Sequence, residues 1–373
     1  MRGPGPFALD TPPPSDVFCS LHPVTLSDTL GPSLDGLACL VGARSAIVVT
    51  ERRLEPILSP HLRRLSAHLG GAPVLTFTGG ERHKTRRTKE RLEDALLRLG
   101  ADRGSMLVAV GGGVVTDMVG FTAATFMRGI PYTSVPTTLL GMVDAALGGK
   151  TAVDTPRGKN LVGSFHPPAG VFVALEMLDT LPKRQFLCGL AECLKHGLFM
   201  DAGYFEWLGR TSWKGLRTTR SLQDTMVRTS LGLKCAVIDE DPREATGRRN
   251  ILNAGHTVGH ALEHLSSFRL SHGEAVAAGL LWEAAAAVSQ GHLSGGELAP
   301  IRAALERLRL TPVWRELAPE QVFEAAGADK KNLDGRVAYI PLKSIGAAAF
   351  PPPHTADLTV KALAEGRRLL GGR

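Results

Sequence analysis

From Ala38 to Leu181 the hydrophobic pattern alternates short β-branched runs with longer segments of helical period. Residues 45–50, 73–77 and 105–110 are predicted as buried strands, and 54–69 and 90–99 as amphipathic helices. Strands separated by helices of this length predict a parallel sheet with right-handed crossovers. After Leu181-Pro182 the texture turns helical, over 184–200, 222–239, 250–266, 273–290 and 298–308. Only 336–342 reads as a strand, pairing with the stretch near Ala347, and a last helix is predicted over 355–370 with Thr355 as its N-cap. The expected fold is an α/β N-terminal domain with a Rossmann-like parallel sheet, followed by a mainly α-helical C-terminal domain. The expected division is a tail over 1–20, a first domain over 21–182 and a second over 183–373.

Composition narrows the function classes. At 373 residues and 43% hydrophobic content, the chain can build two real cores. A net charge of +7 admits nucleic acid or small anions as partners. Aromatics make up only 5% of residues and do not interleave with runs of Lys and Arg, which argues against nucleic acid and for phosphate-bearing small molecules. The five cysteines, Cys19, Cys39, Cys188, Cys193 and Cys235, are scattered without a CxxC pair, which suits reduced thiols. The start, rich in Pro and Gly, carries no apolar signal-peptide core, and no apolar segment is long enough to cross a bilayer. A cytoplasmic protein with no membrane partner is expected.

The candidate chemistry is unevenly spread. His256, His260, His264 and His272 are a third of the chain's histidines, and the first three fall at i, i+4 and i+8 of the predicted helix. Neutral imidazoles gathered in this way suit zinc. A carboxylate from Glu192 with two imidazoles would make a three-ligand set open to substrate, and spacing alone favours His256 with His260. The bland alternative is a helix with His on its solvated side. Gly111-Gly112-Gly113 follows a strand and opens a helical pattern over 116–126, where backbone N–H groups can meet a phosphate, although this is not GxGxxG. Between Arg128 and Asn160 the polar residues Thr137, Thr138, Asp144, Lys150 and Lys159 are set among glycines and leucines, a density that suits phosphate, carboxylate or hydroxyl groups.

Taken in order, several short motifs resemble the 3-dehydroquinate synthases of the sugar-phosphate cyclase superfamily. They are Gly111 to Asp117, Met127-Arg-Gly129, Pro136 to Leu140, Val143-Asp144, Gly148 to Thr151 and Gly158-Lys-Asn160. Ala191-Glu192, Leu252 to His256, Gly259-His260, His272-Gly-Glu274 and Asp329-Lys-Lys331 follow. The resemblance spans roughly 45–345 and implies NAD and Zn2+ as cofactors, with Co2+ an acceptable substitute. It implies a metal held by Glu192, His256 and His272 with His260 off the metal, against the i,i+4 pairing. It places NAD near Glu81, Lys84, Gly112, Gly113, Asp117, Thr137, Thr138, Lys150, Lys159 and Thr180. It places a seven-carbon 3-deoxy sugar-acid phosphate against Arg128, Asp144, Lys150, Asn160, Lys195, Lys234, Arg249, Asn253, His260 and a lysine of the 329–331 turn, Lys331 rather than Lys330. The implied reaction converts 3-deoxy-D-arabino-heptulosonate 7-phosphate to 3-dehydroquinate and phosphate, by transient oxidation, elimination, reduction, ring opening and aldol closure. A homodimer is implied as well.

Some positions depart from the family pattern. Arg53 closes Glu51-Arg52-Arg53 where the family commonly has an Asn near the cofactor ribose, Thr116 stands for a usual Gly, and Gln185 for a common acid. Competing expectations are a sister cyclase of valiolone or amino-dehydroquinate type, a metal-dependent alcohol dehydrogenase, and a non-catalytic basic module that binds nucleic acid.

Overall fold

A computed structural model describes residues 17–267, 269–310, 317–327, 336–351 and 354–371. Contacts divide the chain into one compact unit that ends at Pro182 and another that begins at Lys183.

The first unit is built on strands β1 (Val17–Cys19), β2 (His22–Ser27), β3 (Ser45–Glu51), β4 (Val74–Phe77), β5 (Ser105–Gly111), β6 (Tyr132–Pro136), β7 (Lys150–Thr155), β8 (Gly158–Phe165) and β9 (Val171–Ala174). Its helices are α1 (Leu30–Val41), α2 (Glu55–His68), α3 (Arg86–Arg98) and α4 (Gly113–Thr125). A seven-stranded sheet runs in the order β1-β2-β9-β6-β5-β3-β4. All neighbours in it are parallel except β1, which pairs antiparallel with β2. β1 lies in the last residues of the stretch expected to be a tail. Continuous apolar runs mark β5 and β9 as strands covered on both faces, as a parallel sheet requires. Val115, Met118 and Val119 of α4 pack with Ile47, Leu107 and Ala109 of the sheet in one core. β7 and β8 form a separate antiparallel hairpin.

The second unit comprises α5 (Lys183–Met200), α6 (Ala202–Arg210), α7 (Trp213–Thr218), α8 (Arg220–Glu240), α9 (His256–Leu265), α10 (His272–Ser289), α11 (Leu298–Arg307), α12 (Pro319–Gly327) and α13 (Val360–Leu369). Its short strands are β10 (Val337–Tyr339), β11 (Leu342–Ser344), β12 (Ala347–Ala348) and β13 (Ala356–Leu358). α10 is central: it packs against α5, α9 and α13, and Ala275 to Ala278, Leu280, Trp282 and Ala284 to Ala287 are all buried. A helix apolar on every side is one enclosed by others.

Three local expectations change. The helix expected over 250–266 is broken: a 3-10 turn covers Arg248–Asn253, Gly255 takes a left-handed φ of 75°, and α9 starts at His256. Thr355 does not cap the last helix. Thr359 does, accepting a hydrogen bond from Ala362 N, because 356–358 is occupied by β13 pairing with β10. The strand expected over 336–342 is two short strands, and β11 rather than β10 pairs near Ala347.

Candidate active site

The histidine cluster is assembled by three helices of the second unit. Glu192 lies in the middle of α5 and is fully buried. His256 is the first residue of α9 and His272 the first of α10. His272 Nε2 lies 3.2 Å, and His256 Nε2 3.6 Å, from Glu192 Oε1, and the donor atoms of all three residues fall within 4.8 Å of one another.

The His272-Gly-Glu274 motif explains how α10 reaches α5. A Cβ on Gly273 would lie 2.4 Å from Cys188 Cα, so only glycine permits this approach, and Glu192 is one turn further along α5. Glu274 then fastens the start of α10, accepting from Ser271 N at 2.7 Å and pairing with Arg184 at 2.9 Å.

The electrostatics separate the two imidazoles. Burial and the Lys195 ammonium hold His256 well below the usual histidine range, so it is neutral. Its Nδ1 is 3.0 Å from Ala254 O, which assigns the proton to Nδ1 and leaves the Nε2 lone pair facing Glu192. Burial opposes protonation of His272, but Glu192 and Glu263 outweigh it and push His272 up to about 10. Burial would raise the Glu192 carboxyl, yet Lys195, His256 and His272 hold it well below the usual carboxylate range. Lys195 forms an ion pair with Glu192 Oε2, which no aligned hydrogen bond satisfies, and donates to Leu252 O at 2.7 Å.

A buried carboxylate kept ionised, a neutral imidazole with its lone pair presented, and a second imidazole held by two acids fit a divalent cation. That donor set is the one zinc favours when a position stays open for substrate. Glu263, 3.8 Å from His272 Nδ1, supplies the carboxylate that commonly orients a ligating histidine. Glu263 stands seven residues from His256, a spacing that puts both on one helical face and is its only signal in the sequence. His260 is on that face too, edge-on to His256 with ring centroids 5.3 Å apart, while His264 is exposed.

In the second unit Lys234 on α8 and Arg249 are both buried, and Asn253, three residues before His256, is half-buried. Arg249 sits on a loop organised by Asp241, whose carboxylate accepts from Ala245 N at 2.7 Å, Thr246 N at 3.1 Å and Arg249 N at 3.4 Å. In the sequence the signal for Asp241 is the run of acids Asp239-Glu240-Asp241 that ends at Pro242. Lys331 lies outside the described residues.

In the first unit the polar residues converge at the carboxyl ends of the parallel strands, where such sheets bind ligands. Lys84 is buried, forms an ion pair with Asp117 on α4 and donates to Asn160 Oδ1. Burial pushes Asp117 up to about 6 even against the neighbouring ammonium. Asp154 fastens the β7–β8 hairpin to this group: its N–H donates to Lys84 O at 2.7 Å, and its carboxylate accepts from Asn160 N at 2.9 Å. Lys159 lies 3.7 Å from Glu81.

Arg128 and Asn160 take φ of 69° and 55°, a conformation that costs a non-glycine residue energy and often marks a working site. Gly112 caps α4 without any side-chain cap, and a Cβ there would lie 2.9 Å from Thr138 Cγ2. The bare start of α4 therefore fits the phosphates of a dinucleotide. Glu51 accepts from Gly80 N at 3.2 Å and pairs with Arg53, so Arg53 engages the acid rather than standing in its way. Thr137 is buried and Thr138 half-buried, accepting from Gly141 N at 2.9 Å. Asp144 is half-buried, and Lys150 is exposed at the head of β7. Thr180 is exposed after the Leu175–Leu178 turn, and no hydrogen bond ties it to these groups among the described residues.

Comparison with known proteins places this arrangement. Residues 74–188 match the model of the 3-dehydroquinate synthase N-terminal domain, and 189–332 that of the C-terminal domain. The chain belongs to the 3-dehydroquinate synthase family. It is 44% identical over 274 residues to 3-dehydroquinate synthase of Pelobacter propionicus, covering 73% of this chain and 76% of that one. It is 37% identical over 348 residues to the enzyme of Leptospira interrogans, covering 91% and 94%. Among solved structures, a 2-epi-5-epi-valiolone synthase from Streptomyces hygroscopicus with NAD+ and Zn2+ bound superposes with a TM-score of 0.82 at 27% identity, covering 94% and 96%. An iron-containing alcohol dehydrogenase shares the fold at a TM-score of 0.59 and 15% identity.

Proposed function

We propose that this protein is a 3-dehydroquinate synthase, releasing phosphate from 3-deoxy-D-arabino-heptulosonate 7-phosphate to form 3-dehydroquinate. The observation that carries the reading is the triangle of Glu192, His256 and His272 in a chain of this family. NAD and a divalent cation, zinc before cobalt, would supply reversible hydride transfer and Lewis acidity.

The chain's own groups prepare that chemistry. Glu192, His256 and His272 present one oxygen and two nitrogens to the cation, and Glu263 and Ala254 O fix the direction of the rings. Gly112 and Gly113 leave the start of α4 open to the dinucleotide, with Glu81, Lys84, Asp117, Thr137, Thr138, Lys150, Lys159 and Thr180 around it. Arg128, Asp144, Lys150, Asn160, Lys195, Lys234, Arg249, Asn253 and Lys331 are proposed to hold the substrate. Their cations neutralise its phosphate and carboxylate. His260, beside His256, is proposed to pass protons to and from the substrate.

The decisive assay supplies NAD, Zn2+ and the seven-carbon acid phosphate and follows phosphate release, with no net NADH. Turnover of sedoheptulose 7-phosphate without the acid would make the protein a sister cyclase, and accumulating NADH would make it a dehydrogenase. The homodimer belongs to the proposal and is tested by a sedimentation mass twice that of the chain. A cytoplasmic setting belongs to the proposal as well; no described helix is long and apolar enough to cross a membrane.

A further inference from the structure

α9 starts in an unusual way. Its N-cap, Gly255, has no side chain to offer, and no side chain of the helix itself caps its first turn. The acceptor comes from α10. Glu283, 1% exposed, takes a hydrogen bond from Gly255 N at 2.8 Å on one carboxylate oxygen and from Val258 N at 2.9 Å on the other.

The two helices are shaped for this contact. One turn before Glu283, a Cβ on Gly279 would lie 2.0 Å from Gly255 O and 2.8 Å from Gly259 N. A Cβ on Gly255 would lie 2.7 Å from the Leu280 side chain. The backbones are therefore in direct contact, and the carboxylate spans the next turn.

A buried carboxylate is costly unless it is fully bonded, and an apolar residue would pack this interface at less expense. What the carboxylate adds is direction. It sits at the positive end of α9, makes two charge-assisted bonds, and grips the backbone on both sides of His256. We propose that Glu283 is a positioning residue of the metal centre, fixing the start of α9 so that His256 Nε2 stands at the right distance from Glu192 and His272. α10 then sets both imidazoles, His272 as its own first residue and His256 through Glu283. The proposal rests on reading Glu192, His256 and His272 as the metal ligands.

The test uses the full chain stripped of metal, wild type beside Glu283→Gln. Glutamine keeps the shape and one acceptor but turns an NH2 toward the other N–H. Zn2+ affinity is read by competition with a chromophoric chelator, and geometry by the visible absorption of bound Co2+. The variant should bind Zn2+ roughly 10- to 100-fold more weakly, the usual cost of losing an outer partner of a ligand. Its Co2+ spectrum should change while NAD affinity stays at the wild-type value. A Zn2+ affinity within about twofold of wild type and an unchanged Co2+ spectrum would overturn the proposal even if the melting temperature fell, leaving Glu283 a purely structural cap. Should the glutamine variant fail to fold, Glu283→Met, which keeps the volume and removes both acceptors, is read by the same two measurements. Wild type that bound neither ion would overturn the metal site itself, a result distinct from equal binding by wild type and variant.

Discussion

His272 Nε2 lies 3.2 Å from Glu192 Oε1 across 80 residues of sequence, whereas His260 stands edge-on to His256 one turn along the same helix. Proximity in sequence and partnership at the site have come apart. Removing His272 should therefore cost the metal, and removing His260 should not. In metal analysis of purified protein, His272→Ala and Glu192→Gln should lose roughly a hundredfold or more in Zn2+ affinity, beyond the cost of an outer partner. His260→Ala should keep its metal and lose turnover. The reverse pattern would restore the pairing of His256 with His260.

Metal binding should release a proton. In the metal-free protein His272 is pushed up to about 10 by its two carboxylate neighbours, so it carries a proton that a cation must displace. Affinity should then rise about tenfold for each unit of pH below that value. Calorimetry in buffers of differing ionisation enthalpy should return about one proton released per metal bound. A pH-independent affinity would contradict the arrangement.

Asp117 gives stability the opposite slope from an ordinary ion-paired acid. Its carboxyl is raised from 3.8 to about 6, so the folded chain holds this proton more tightly than the unfolded chain does. Its contribution is complete below the unfolded value and is lost as pH rises through the folded one. Relative to Asp117→Asn, wild type should lose about 2 kcal/mol between about pH 4 and about pH 7. Urea unfolding of both proteins across that range measures the difference, and a rise with pH would show that Lys84 outweighs burial.

Gly112 should be intolerant of any larger side chain. Its Cβ would press on Thr138 Cγ2, and Thr138 is itself tied to Gly141. Gly112→Val should raise the NAD dissociation constant roughly 10- to 100-fold, the equivalent of about 1–3 kcal/mol of overpacking. Zn2+ affinity should be unchanged. Unaltered NAD binding would remove the start of α4 from the cofactor site.

Much of this protein was legible along the chain, because strands and helices are written in local periodicity. The runs at 45–50 and 105–110 read as strands of a covered sheet, and the helical texture after Pro182 announced the second unit's class. The break at Gly255 was not legible. An unbroken helical pattern ran through it, and the left-handed turn there is sustained by Glu283 and Gly279, which belong to another helix. Thr355 failed as a cap for a similar reason, since the pairing of β13 with β10 claimed its neighbourhood first.

The sequence by itself determined which groups are available: a carboxylate at Glu192, imidazoles at His256, His260 and His272, a glycine turn after β5, and the order of motifs that marks the family. Tertiary structure alone decided which of them meet. Ligand geometry depends on distances of a few ångströms between residues on different helices, and those distances are set by backbone contacts at Gly273 and Gly279 that no local pattern records.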